Sequence, residues 1–183
     1  SSYGIYNNSN GKIEVIGGTV SGRGHGIYNI SKGSIKITEG TITGYYGIYN
    51  YSDGTIEVTE GTVSGSSYGI YNKSRGTIEI TGGTVSSSGY GIYNYSDGTI
   101  EVTGGIVSSS GSGSEIKYGI YNYSTGNIII GIKGDGIVSQ EEPYIIGNCT
   151  SSSSSYVRYG IYNSNGKLYY YDGKIEGGEK AIY

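Results

Sequence analysis

The chain has 183 residues, 36 of them glycine and 23 tyrosine, with no Met, Trp or Phe and a net charge of −3. A single proline and glycines without a period of three exclude collagen, and regularly placed Ile and Val argue against a disordered linker. Charges of both signs are interspersed, which leaves no basic stripe for nucleic acid, and no apolar run reaches membrane-spanning length.

A unit of 21–22 residues recurs along the chain. Its marker glycine falls at Gly4, Gly26, Gly47, Gly69, Gly91, Gly119 and Gly160, with spacings of 22, 21, 22, 22, 28 and 41. Ser1-Ser2-Tyr3-Gly4 is already in phase, and Ala181-Ile182-Tyr183 opens an eighth unit, as expected for a segment of a longer repeat array. Such a period points to a solenoid.

Within one unit, Gly47-Ile48-Tyr49-Asn50 predicts a strand with Ile48 inward and Tyr49 outward. A turn at Ser52-Asp53-Gly54 leads to Thr55–Thr59, whose alternation puts Ile56 and Val58 inside. After Glu60-Gly61 a third strand, Thr62–Ser64, turns Val63 inward, and Gly65–Ser67 closes the unit. Three short strands per coil, with the same side chain at the same phase, predict an all-β, single-stranded parallel β-helix of seven to eight coils. Its expected hand is right, and its length roughly 35–40 Å at the usual strand spacing.

The inward ranks run through Ile27, Ile48 and Ile70, through Ile35, Ile56 and Ile78, through Ile37, Val58 and Ile80, and through Ile42, Val63 and Val85. A rank of asparagines, from Asn7 to Asn163, is expected to stack at one corner, satisfying a bend and its own copy above. The glycines from Gly11 to Gly166 are expected to supply positive φ at the following turn.

The template breaks after Gly126. Ile128–Ile130 keeps strand character and Gly136–Ser139 resembles a third strand. The stretch at about 131–159 reads as an irregular loop inserted into one 1–183 solenoid, with room for a short apolar strand at Tyr144–Ile146. Leu168–Tyr171 stands where the Ile-Glu-Val strand belongs in the last full coil.

Three outward surfaces are candidates for function. The first is a tyrosine ladder, Tyr28, Tyr49, Tyr71, Tyr93, Tyr121 and Tyr162, beside what alternation reads as an outward glycine floor from Gly4 to Gly160. Such a platform suits sugar rings or a protein strand, and it equally suits plain stacking between coils. A neighbouring rank holds Tyr3, His25, Tyr46, Tyr68, Tyr90, Tyr118 and Tyr159. The second surface is the Thr/Ser pair of ranks at Thr62 and Ser64, similar to an ice-binding face but interrupted by Ile106 and by serines. The third is the rank Glu14, Lys36, Glu57, Glu79, Glu101, which leaves room for adventitious calcium and implies no dedicated cofactor.

Catalysis has little footing in these residues. His25 is the only histidine, and it substitutes for a tyrosine in its rank. Cys149 is the only cysteine, and Glu141 and Glu142 are a carboxylate pair in the inserted stretch. No metal-spaced Cys/His set and no Ser-His-Asp arrangement can be assembled. The chain therefore reads as a non-enzyme, with a polysaccharide-active β-helix as the enzymatic alternative.

Tyr68-Gly69-Ile70-Tyr71-Asn72 followed by Gly76-Thr77-Ile78-Glu79-Ile80-Thr81-Gly82-Gly83-Thr84-Val85-Ser86 resembles the repeat regions of large bacterial surface proteins of the adhesin type. The likeness covers 1–139 and 159–183. It implies an exported, cell-surface location and a structural or adhesive module contacting a glycan or a host protein, with flanking repeats of the same chain as neighbours. A passive stalk is the alternative, and no catalytic residue carries over.

Overall fold

The computed structural model describes residues 1–111, 117–134, 143–147, 158–178 and 180–183. Among them are 18 strands and no helix, and the strand pairings are parallel. The chain is a parallel β-helix in which each strand pairs with its equivalents in the adjacent coils. Three faces result. The Tyr face aligns Ile5, Ile27, Ile48, Ile70, Ile92, Ile120, Ile161 and Ile182 in one register. The Glu face aligns Ile13, Ile35, Ile56, Ile78, Ile100, Ile128 and Leu168. The Thr face aligns Val20, Ile42, Val63, Val85, Val107, Ile145 and Ile175. Seven coils and the opening strand of an eighth are therefore in register. Ile35–Asn50 stays extended through all three faces, so its corners are bends in one strand.

The interior is a column of aliphatic side chains. Ile48, Ile56, Val58, Val63, Ile70, Ile78, Ile80 and Val85 are fully buried, as are their copies through Ile161. Each contributes about 1.5–3 kcal/mol through burial, but only when a coil lies on both sides of it.

The asparagine corner forms the expected ladder. Each carboxamide donates to the next across 2.8–3.0 Å, from Asn7 through Asn29, Asn50, Asn72, Asn94 and Asn122 to Asn163. From Asn7 to Asn122 each also closes its own turn by donating to the carbonyl four residues on, as from Asn72 to Gly76 at 3.0 Å, and Asn163 does so to Gly166, three residues on. Buried amides thus find partners both along the axis and within the coil.

Two glycine ranks do other work than the sequence suggests. The rank Gly11 to Gly166 does not adopt positive φ. That conformation is adopted instead by Gly18, Gly40, Gly61, Gly83 and Gly105, in the turn between the Glu and Thr faces, and by Gly131, Gly134 and Gly173 further along the chain. Gly33 and its copies are glycine because a Cβ there would strike the carbonyl of the preceding copy, and at Gly33, Gly98 and Gly166 the ladder amide as well. The rank Gly26 to Gly160 is buried at the corner between the Thr and Tyr faces. A Cβ on Gly47 would lie 2.8 Å from Val63 Cγ1, and one on Gly69 would lie 2.9 Å from Val85 Cγ1. The expected glycine floor beside the tyrosines is therefore an internal seam.

The inserted stretch also divides differently. Tyr144–Gly147 occupies the Thr-face slot between Ile106–Ser109 and Lys174–Gly177, with Ile145 fully buried. The slot anticipated for Gly136–Ser139 is thus filled by a strand further along the chain. Residues 136–139, Glu141, Glu142 and Cys149 lie outside the described residues.

Candidate functional site

The Tyr face is built by a strand that turns outward at its first and fourth positions. Tyr46 and Tyr49 point out while Gly47, Ile48 and Asn50 point in, a bend accompanied by a register shift between Gly44 and Tyr46. Two aromatic columns follow. In the first, Tyr49–Tyr71, Tyr71–Tyr93, Tyr93–Tyr121 and Tyr121–Tyr162 stack with centroids 4.7–5.0 Å apart and planes within 21°. Tyr183 extends it at 5.2 Å. In the second, Tyr46–Tyr68, Tyr68–Tyr90 and Tyr90–Tyr118 stack at 4.9–5.4 Å. The columns meet edge to face, as between Tyr68 and Tyr71 at 5.3 Å and 88°. Each such pair contributes about 0.5–1.5 kcal/mol beyond area burial.

Five of the six expected platform residues, Tyr49, Tyr71, Tyr93, Tyr121 and Tyr162, thus form one column. Tyr28 departs from it. Its ring stands edge-on to Tyr49 at 78° and stacks on Tyr3 at 5.3 Å. The break falls at the coil where His25 replaces tyrosine. His25 is sandwiched between Tyr3 and Tyr46 at 5.2 and 5.0 Å, and its Nδ1 has no hydrogen-bond partner. Burial lowers its pKa.

Stacking changes what the platform can offer. An interior ring such as Tyr93 has both faces covered by its neighbours, so the column presents ring edges and hydroxyls, not the flat faces that would receive a sugar. Burial, with neighbouring phenols adding to it, pushes Tyr49 up to about 12 and raises Tyr71, Tyr93 and Tyr118. These hydroxyls stay neutral near pH 7 and can both donate and accept.

A third column escaped the sequence reading. The residue after each ladder asparagine continues the axial backbone bonding, through Tyr51, Lys73, Tyr95 and Tyr123. Lys73 Nζ lies 5.0 Å from the Tyr51 ring centroid and 6.0 Å from that of Tyr95, while Tyr95 and Tyr123 stack at 5.5 Å. All three rings are exposed. The signal was the repeated Tyr-Ser-Asp-Gly at Tyr51–Gly54 and Tyr95–Gly98, obscured because other coils place Asn8, Ile30 and Ser164 at that position.

On the Glu face, Lys36 pairs with Glu57 at 2.6 Å, and Glu79 lies in register between Glu57 and Glu101. Asp97 accepts from the Ser124 and Thr125 hydroxyls, which lower its pKa. Among the described residues no group of three His, Cys, Asp or Glu side chains could hold a metal ion. At the C-terminal end Tyr144 donates to Glu176, which also pairs with Lys174.

No protein-family model, curated protein or solved structure matches this chain, so its function is read from the geometry of these columns.

Proposed function

We propose that the chain is a structural and adhesive repeat module of an extracellular bacterial surface protein, a rigid rod that contacts a glycan or a host protein with its tyrosine face. The observation supporting this is the row of in-register phenols from Tyr49 to Tyr162, repeated at coil spacing and half-exposed. A linear ligand laid along the rod would meet the same hydroxyl at every step, which favours repetitive polymers and extended strands. Enzymatic action on a polysaccharide draws less support, because His25 lies in an aromatic stack with no carboxylate paired to it among the described residues.

The combined Tyr49→Phe, Tyr71→Phe, Tyr93→Phe and Tyr121→Phe variant tests the reading. It removes the hydroxyls and keeps the stacked rings, so the melting temperature should hold while binding to a glycan array or to extracellular-matrix proteins falls. Undiminished binding would sink the adhesive role of this face. The passive stalk is the second reading, and it is favoured by the stacking itself, which already consumes the ring faces.

A further inference from the structure

The outer column leaves two ring faces with no ring or cation above them in rank, that of Tyr51 toward Ile30 and that of Tyr123 toward Ser164, and the first borders a cavity. Tyr95 and Tyr123 lie on one another, and Lys73 caps Tyr51 from the following coil. From the preceding coil, however, the residue in rank with Tyr51 is Ile30, whose side chain is shorter than a phenol. An open cavity of about 510 Å³ lies at this step, lined by Ile30, Tyr51, Asn10, Lys32 and Asp53. Tyr51 is half-exposed, as is Tyr123, and only Tyr51 lines the cavity wall named here.

The polar rim is arranged. The Ser31 hydroxyl donates to Asn10 Oδ1 at 3.1 Å, orienting that amide. Asp53 Oδ1 accepts the Arg75 backbone N–H at 3.1 Å, which fixes the carboxylate and leaves its second oxygen available. Lys32 enters no ion pair among the described residues. An aromatic face, a carboxylate, an amide and an ammonium around one open cavity combine an apolar platform with convergent donors and acceptors. The two formal charges cancel, which disfavours a charged ligand.

We infer that this cavity binds a single neutral pyranose unit of a glycan, stacked on Tyr51 and hydrogen-bonded by Asp53, Asn10 and Lys32. The site is distinct from the two inner columns and needs none of their hydroxyls. Its openness points to weak, millimolar affinity, useful when a glycan is held at several points along a rod.

The test is an amide-resolved NMR titration of the chain with methyl glucoside, methyl galactoside and N-acetylglucosamine, and with glucosamine and glucuronate as charged probes. Saturable shifts centred on Tyr51, Asp53 and Asn10 are expected with at least one neutral sugar. Tyr51→Ala should weaken them at least tenfold. Ile30→Tyr fills the step with another ring, so it should abolish them while the melting temperature stays level or rises. No saturable shift from the neutral sugars, response to a charged probe alone, or unchanged binding in Ile30→Tyr would each overturn the assignment. The Phe variant of the inner column should bind these sugars normally, so loss of this site and loss of the tyrosine-face reading are separable.

Discussion

Replacing Asn72 by alanine probes the element on which coil-to-coil register most depends. Its carboxamide is fully buried and donates to Asn94 Oδ1, the Ser74 carbonyl and the Gly76 carbonyl, each at 3.0 Å. It accepts from Asn50 Nδ2 at 3.0 Å and from the Ser74 hydroxyl at 2.9 Å. In the variant Asn50 keeps its bonds to Ser52, Gly54 and Ser74. Asn94 Oδ1 and the Ser74 and Gly76 carbonyls lose the bonds to Asn72, in a place water does not reach. Three buried acceptors left short cost about 1–3 kcal/mol each, so Asn72→Ala should destabilise by roughly 3–9 kcal/mol. Asn7→Ala, in the first coil where the turn is exposed, should cost only about 1 kcal/mol because water can replace the bonds. Asn72→Asp keeps the shape but exchanges the donor for an acceptor, so it should be no milder than alanine. Guanidinium unfolding followed by circular dichroism gives the three differences. If Asn72→Ala and Asn7→Ala agree within error, the ladder is not the register-setting element proposed here.

Other consequences are equally open to measurement. Gly69→Ala should be strongly destabilising, since its Cβ would lie 2.6 Å from the Gly91 carbonyl oxygen, whereas Gly17→Ala, with nothing near, should be neutral or slightly stabilising in thermal melts. His25 is held below its ordinary 6.5 by burial, so the folded state takes up a proton less readily than the unfolded chain. Its contribution is therefore constant above that value and lost as pH falls through the folded pKa. The melting temperature should drop from pH ~7 to ~5, and His25→Tyr should flatten that slope; an identical slope in the variant would rule the histidine out as its source. Tyr49, raised from 10.0 to about 12, has the opposite sign. Its stabilisation is intact below pH 10 and lost between there and about 12, as the unfolded phenol ionises first. Phenolate absorbance should then rise together with unfolding, and ionisation of the folded ladder at its ordinary value would contradict the packing described.

How far the sequence disclosed this molecule depends on how uniform each rank is. The inward Ile and Val ranks and the Asn ladder could be read directly, because the same residue type returns every coil and a period of two assigns its side. Alternation failed at Gly47, where the chain turns a corner and two consecutive residues, Gly47 and Ile48, both face in. Reading glycine as a turn residue placed positive φ at Gly54, although Gly61 adopts it and Gly54 is needed for close approach to the preceding copy. The strand anticipated at Tyr144–Ile146 is present as Tyr144–Gly147, but its place could not be read, because the slot held by Thr84–Ser87 and Ile106–Ser109 in earlier coils is refilled by an unrelated string after an excursion. The Tyr51 cavity could not be seen at all from the repeat, because it exists where two successive copies differ in side-chain length.

Strand pairing here runs only from coil to coil, with every register advancing one level along the axis. A pull on the two chain ends would therefore meet no single mechanical clamp. It would peel the outermost coil, releasing about 70–80 Å of extended chain for each 22-residue turn, and then face the same barrier at the next level. A rod made this way lengthens one coil at a time under load, by longer steps at the 28- and 41-residue coils. It can rewind coil by coil when the load is removed, where a globular domain would give way at once.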